Sequence, residues 1–291
     1  MATNVRLNRI IDRLEAGKPA FGPTGIPSGM FTELGTAADA GYDFVMVENE
    51  HMGMDFPDLR FGLQNMLSRS RIASKGNLQA HPTPLVRVSP NASEVERNQW
   101  VIKQTLDHGV YGIVLPRMET VEQAKAAVVA SRYVQRSGAP DSEPVGERGW
   151  GPTLAARYWG LSAQEYYDKS DLWPLDPDGE LILMPIIETP LGVKNLADIL
   201  REVKGVGAVF AGPGDLAIAM GLGAGRGDDP DLQAAVLKIV NTAQEFNVPC
   251  MCMVNSAEEL EQRLEQGFRI FQLGGQVGGP LLAKAREMCP D

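Results

Sequence analysis

Short apolar runs punctuate this chain, and the stretches between them carry apolar residues every three or four positions. Runs near 20–25, 44–48, 83–88, 112–116, 181–187, 207–211, 249–254 and 269–274 are partly β-branched and apolar on both faces. That is the pattern of strands buried in a parallel sheet. The intervening stretches carry helix signals. Ser93-Glu94-Val95-Glu96, Thr120-Val121-Glu122-Gln123 and Ser256-Ala257-Glu258-Glu259 each fit a capping box, in which the hydroxyl and the fourth residue satisfy exposed N–H groups reciprocally. Asp229-Pro230 fits an N-cap followed by proline in the first turn. Gly41, Gly109 and Gly267 stand where a left-handed helix end precedes the next strand.

Eight β-then-α units predict an α/β chain folded as a single (β/α)8 TIM barrel over 1–291, rather than an open doubly wound sheet. No Gly-x-Gly-x-x-Gly follows the first strand, which argues against a dinucleotide site. Residues 133–178 break the alternation, being too long for an ordinary helix-to-strand connection. They hold Trp150, Trp159 and Trp173 with Tyr158, Tyr166 and Tyr167. So aromatic an insertion is expected to be ordered, to contain short helices and to pack on the barrel or a neighbouring subunit. We expect 145–175 to form a lid or subunit-contact element beside the barrel mouth, with Trp150 or Trp159 bordering a substrate pocket.

Ionisable residues cluster where the runs end. Glu48, Glu50 and His51 close the 44–48 run, Arg87 lies inside the 83–88 run, Glu188 follows 181–187, and Asp215 follows 207–211. In a barrel such strand ends converge on one face, where active sites lie. Two carboxylates, Glu188 and Asp215, suit a hard cation such as Mg2+ or Mn2+, with Co2+ a further candidate. A 2-oxo acid could then bind the same metal through its carboxylate and keto oxygens. Arg87 could hold oxyanion charge, and His51 could move a proton near neutral pH, its ring oriented by Glu48 or Glu50. Each residue also has a structural reading: Glu188 and Asp215 as helix caps, Arg87 as a salt-bridge residue, and His81 and His108 as packing histidines. Gly274-Gly275-Gln276-Val277-Gly278-Gly279 reads either as a phosphate cradle or as a turn into the last helix.

Composition narrows the class. A net charge of −10 argues against nucleic-acid and anionic-membrane partners, and no apolar stretch is long enough to span a bilayer. The three cysteines, Cys250, Cys252 and Cys289, are too few for a disulfide scaffold, so a reducing cytoplasm is the expected setting. Cys250-Met251-Cys252 sits in a strand-like run and reads as two buried, inert thiols.

Taken in order, Glu48-Asn49-Glu50-His51, Val86-Arg87-Val88, Ile187-Glu188-Thr189 and Gly212-Pro213-Gly214-Asp215-Leu216 resemble the HpcH/HpaI family of metal-dependent 2-oxo acid aldolases. Arg148-Gly149-Trp150-Gly151 with Ala156-Arg157 resembles that family's arginine-glycine segment. The resemblance implies a barrel of the phosphoenolpyruvate/pyruvate type, assembled as a homohexamer by exchange of the last helix. It implies that Glu188 and Asp215 bind the metal, that His51 is the acid/base and that Arg87 stabilises the enolate. Gly212, Pro213 and Gly214 would offer backbone groups to the pyruvate carboxylate, and Asp107 would reach a neighbouring subunit's site. The implied reaction makes or cleaves a C–C bond between a 2-oxo acid and an aldehyde.

This chain departs from the family at Glu48, where aspartate is usual, at Ile186, where glutamine is usual, and in the length of 133–178. An apolar or aromatic aldehyde is the expected acceptor. Among other readings, a Schiff-base aldolase needs a strand lysine, which none of the runs carries, Lys194 lying in a helix region. An acyl-CoA lyase fits less well with Glu50-His51 and with the lack of a basic patch. A non-catalytic 2-oxo-acid-binding barrel would be favoured by loss of the two carboxylates, and both are present.

Overall fold

All the apolar runs join one parallel sheet that curls into a barrel. The computed structural model describes residues 5–134 and 143–290. Its strands are β1 (Ala20–Pro23), β2 (Ile26–Pro27), β3 (Phe44–Glu48), β4 (Thr83–Arg87), β5 (Gly112–Leu115), β6 (Ile182–Ile187), β7 (Val209–Ala211), β8 (Cys250–Val254) and β9 (Ile270–Leu273). From β3 to β9 each strand pairs in parallel with the next. β1 pairs with β9, and β2 pairs with β3. Only Thr24 and Gly25 separate β1 from β2, so the two pieces act as one bent strand that closes the ring. The run expected at 20–25 breaks after Pro23, because proline has no N–H to give a ladder, and the second piece ends at Pro27.

Inside the barrel, Phe44, Met46, Leu85, Val114, Ile182, Met184, Ile186, Phe210, Met251 and Ile270 form one apolar plug. Ile10 and Ile11 of the helix Arg9–Glu15 close its floor. Side chains alternate along a strand, so the next inward positions above Met46, Leu85 and Ile186 are Glu48, Arg87 and Glu188. Sequence parity alone therefore sends these three charges up the inside of the barrel to its mouth. Buried acids pin the floor. Asp43 accepts from Arg9 Nε at 2.8 Å and from the Phe21 N–H at 2.9 Å, and it lies 3.0 Å from Arg286 Nη2. Glu180 accepts the N–H groups of Leu7 and Asn8.

Most helix signals hold. Thr120 and Gln123 form a full capping box, and Asp229 caps the helix Pro230–Glu245. Gly41, Gly109 and Gly267 have φ of 92°, 102° and 98°. The box expected at Ser93 forms instead between Asn91 and Glu94. Ser256 accepts from the Glu259 N–H, but Glu259 answers to Asn255 rather than to Ser256. The glycine-rich stretch after β9 is a turn into the helix Pro280–Met288, with the Gly278 N–H donated to the Tyr42 hydroxyl. Cys250 and Cys252 are buried in β8. No described helix is long and apolar enough to cross a membrane.

The aromatic insertion departs from expectation. Residues 135–142 lie outside the described residues, and the rest is ordered, with helices Thr153–Trp159 and Ala163–Lys169. It packs at the floor, not the mouth. Trp159 is buried, stacks on Tyr111 at 4.2 Å and donates to the Gly109 carbonyl at 2.8 Å. Trp173 donates to Glu15 Oε1. The reason is topological: the segment joins the end of a helix to the start of β6, and such joints lie at the N-terminal ends of the strands. A lid over this chain's own mouth is therefore corrected to a floor element.

Candidate active site

At the mouth, the ends of β3 and β4 build a charged lattice. Glu48 and Arg87 are in register. Arg87 Nε donates to Glu48 Oε2 at 2.5 Å, and Nη2 also reaches that oxygen. Arg87 Nη1 lies 3.1 Å from Glu50 Oε2. The second oxygen of Glu48 accepts the backbone N–H groups of Glu50 at 2.8 Å and His51 at 3.1 Å. Glu48 thus sets the turn that presents His51 and holds Arg87 flat, but it does not touch the imidazole. Glu50 does, with Oε2 3.3 Å from His51 Nε2. The His51 side chain is 60% exposed and free to meet a ligand.

Across the mouth, Glu188 follows β6 and Asp215 stands in the first turn of the helix Pro213–Ala219. Both line a cleft of roughly 470 Å³ together with Glu50 and Arg117. Burial, and after it the Asp215 charge, push the Glu188 carboxyl up to about 7, against the pull of the Arg117 N–H and Arg87. Burial also raises Glu50, against Arg87 and His51. Three acids facing one cleft repel one another, and a bound cation would relieve that repulsion. Carboxylate oxygens are the donors that Mg2+ and Mn2+ prefer, so the residues fit a divalent metal. Among the described residues no group of three or more His, Cys, Asp or Glu surrounds one point. Two carboxylates would leave the remaining positions to water and substrate.

One contributor has no sequence signal. Arg117 adopts φ 55°, rare for a non-glycine residue, and its N–H donates to Glu188 Oε1 at 2.7 Å. That bond fixes one carboxylate oxygen and leaves the other for a ligand. Gly212 is needed for a second reason. A Cβ there would lie 2.8 Å from Ile186 and 2.9 Å from Glu188 Oε2. The expectation that Gly212, Pro213 and Gly214 offer backbone groups to a carboxylate narrows, since a carboxylate needs N–H donors. The Gly212 N–H is spent on the Ile187 carbonyl, and proline has none. Of the three, only Gly214 has an N–H left to meet a ligand.

Two expected residues do not join this mouth. Asp107 ends the helix Val95–Asp107 at the floor, where Arg148 Nη2 donates to it at 2.7 Å. Arg148 is buried beneath Tyr133, 4.4 Å from the ring centroid, and also donates to the Tyr166 hydroxyl. Trp150 sits nearby on Tyr133 and Tyr167, 60% exposed. Within one chain, Trp150 therefore borders no mouth pocket. None of the strands carries a lysine.

Known proteins resemble this chain over most of its length. The sequence profile of the HpcH/HpaI aldolase/citrate lyase family matches residues 27–280. The 4-hydroxy-2-oxo-heptane-1,7-dioate aldolase of Escherichia coli is 32% identical over 282 residues, covering 94% of this chain and 90% of that protein. Its Klebsiella pneumoniae counterpart is 32% identical, covering 96% and 91%. A crystal structure of an HpcH/HpaI aldolase/citrate lyase family protein from Burkholderia cenocepacia superposes with a TM-score of 0.74 at 23% identity, covering 97% of this chain and 98% of that one. Macrophomate synthase superposes with a TM-score of 0.67 at 24% identity, covering 99% and 92%.

Proposed function

The chain belongs to the HpcH/HpaI aldolase/citrate lyase family, and on that premise we propose that it is a metal-dependent carbon–carbon lyase that cleaves or forms 4-hydroxy-2-oxo acids from pyruvate, or a close relative, and an aldehyde. The observation that carries this reading is Glu188 and Asp215 crowded on one cleft, with Glu188 raised to about 7, in a barrel whose strands carry no lysine. Bound there, a divalent cation (Mg2+ or Mn2+, with Co2+ a further candidate) would polarise the 2-oxo carbonyl and stabilise the charge that develops on its oxygen.

The chain's own residues do the rest. Glu188 and Asp215 would hold the cation, and the Arg117 N–H fixes one Glu188 oxygen. Arg87 is held by Glu48 and Glu50 with its guanidinium at the mouth, and it takes oxyanion charge on the substrate. His51 takes the proton from the 4-hydroxyl during cleavage and returns it during condensation, with Glu50 steadying Nε2. The Gly214 N–H meets the pyruvate carboxylate. The cleft is largely polar, but Pro190, Leu191, Ile218 and Ala219 give it apolar walls on one side, and Ile186 lies buried beneath Glu188. An aldehyde with an apolar or aromatic body suits these walls.

We assign Asp107, with Trp150 beside it, to the mouth of another copy in a homohexamer, because both lie at the far end of their own barrel. The buried thiols of Cys250 and Cys252 suit a cytoplasmic setting. The experiment is a lactate-dehydrogenase-coupled assay of pyruvate release from a panel of 4-hydroxy-2-oxo acids. Turnover highest for members yielding apolar aldehydes supports the reading. No pyruvate from any member refutes it.

A further inference from the structure

A second cavity, of about 210 Å³, opens at the barrel floor, far from the acidic mouth. Its walls come from the helix Arg69–Lys75, the segment 78–82 leading into β4, and the end of the helix Thr153–Trp159. Two features set it apart from the rest of an acidic chain. First, Arg71, Lys75 and Arg157 all line it, and no Asp or Glu does. Arg71 is paired from outside the cavity with Asp39 at 3.1 Å, whereas Arg157 has no ion-pair partner among the described residues. Lys75 Nζ donates to the Gln79 carbonyl at 2.7 Å, a neutral acceptor that leaves its charge uncompensated. Second, the cavity is apolar and aromatic between these cations. Trp159 and Tyr158 form one wall, and Ile72 and Leu78, 42% and 45% exposed, form its lip. Exposed apolar side chains gathered round a concavity mark a binding place.

Two half-buried titratable groups sit among these cations. Burial, with Arg9 and Arg71 behind it, lowers Lys75 to about 8. Burial, with Arg9, Lys75 and Arg71, lowers His81 to about 4, Asp43 opposing only weakly. Both shifts follow first from burial, and the neighbouring cations add to them even though Arg9 is paired with Asp43 and Arg71 with Asp39.

We propose that this floor cavity binds a small anion with a flat apolar body, of the arylcarboxylate class, its ring against Trp159 and Tyr158 and its carboxylate between Lys75 and Arg157. The anion supplies counter-charge to Lys75 and Arg157, and the ring covers surface otherwise left to water. The site is separate from the proposed catalytic mouth and does not depend on the metal chemistry there.

The test is isothermal titration of 2-naphthoate, and of the neutral isostere 2-naphthamide, into the intact protein with and without divalent metal. Naphthoate binding that is independent of metal and weakened by salt, with the amide at least about tenfold weaker, is the expected result. Lys75→Met and Arg157→Met should each weaken naphthoate by about tenfold while pyruvate release from the best 4-hydroxy-2-oxo acid is unchanged. No heat up to millimolar naphthoate, equal binding of the amide, or affinity untouched by either substitution overturns the proposal. A change of oligomeric state on Arg157→Met in sedimentation overturns it too, by assigning this face to a second copy of the chain.

Discussion

Replacing Glu188 by glutamine should stabilise the metal-free protein, and only at neutral to alkaline pH. Glu188 is 6% exposed and its carboxyl rises from 4.5 to about 7. A folded-state acid raised above its unfolded value loses stability as pH climbs through that interval. Below about 4.5 the group is protonated in both states and costs nothing; above about 7 it is charged in both, and the folded state bears the full penalty. At about 1.4 kcal/mol per pH unit, the rise from 4.5 to about 7 sets a ceiling of about 3 kcal/mol. Glutamine keeps the shape and can still accept the Arg117 N–H, while removing the charge that faces Asp215. For a chain of this size that is a gain of about 5 °C in Tm. The assay is differential scanning calorimetry of chelator-stripped protein at pH 5 and pH 8. Glu188→Gln should melt close to wild type at pH 5 and clearly above it at pH 8, and added Mn2+ should raise the Tm of wild type only. A Tm difference that is the same at both pH values would refute the crowding argument.

His51→Ala should lower kcat for pyruvate release by about 10²–10⁴-fold with little change in KM, whereas turnover near wild type would remove His51 from the proton transfer. Arg87→Lys should also be poor, since an ammonium cannot span Glu48, Glu50 and substrate as a planar fork does; steady-state kinetics check it. Gly212→Ala should displace Glu188 and weaken Mn2+ binding at least tenfold by titration, because its methyl would sit 2.9 Å from Glu188 Oε2. Arg148→Met should destabilise by about 3 kcal/mol in urea unfolding, since it strands the partly buried Asp107 carboxylate.

How much of this was legible beforehand depended on the length scale of the cause. Buried parallel strands announce themselves as apolar runs, and the parity of Met46-Glu48, Leu85-Arg87 and Ile186-Glu188 carries those charges to one mouth without further information. The floor placement of Trp159 was legible in principle, since residues between a helix and the next strand must lie at the strand starts. Its aromatic content drew attention to binding rather than to topology. Arg117 was not legible, because nothing in Pro116-Arg117-Met118 signals a positive φ; that conformation is imposed by the tertiary contact with Glu188. The loss of Gly212 as a donor likewise depends on a ladder bond to Ile187 that only the closed barrel creates. The split of capping between Asn91 and Ser93 turned on which of two neighbouring polar residues met Glu94, a choice settled by packing.

On the proposed mechanism, catalysis runs through a divalent cation held by Glu188 and Asp215 rather than through a lysine imine. Pyruvate release from the best 4-hydroxy-2-oxo acid, followed in chelator-stripped enzyme, on readdition of Mg2+ or Mn2+, and after borohydride treatment with substrate present, tests it most directly. Activity should be lost on stripping and recovered with metal in wild type but not in Asp215→Asn, and borohydride should trap nothing covalently. Full activity in excess chelator, or a substrate-derived adduct on a lysine, would contradict it.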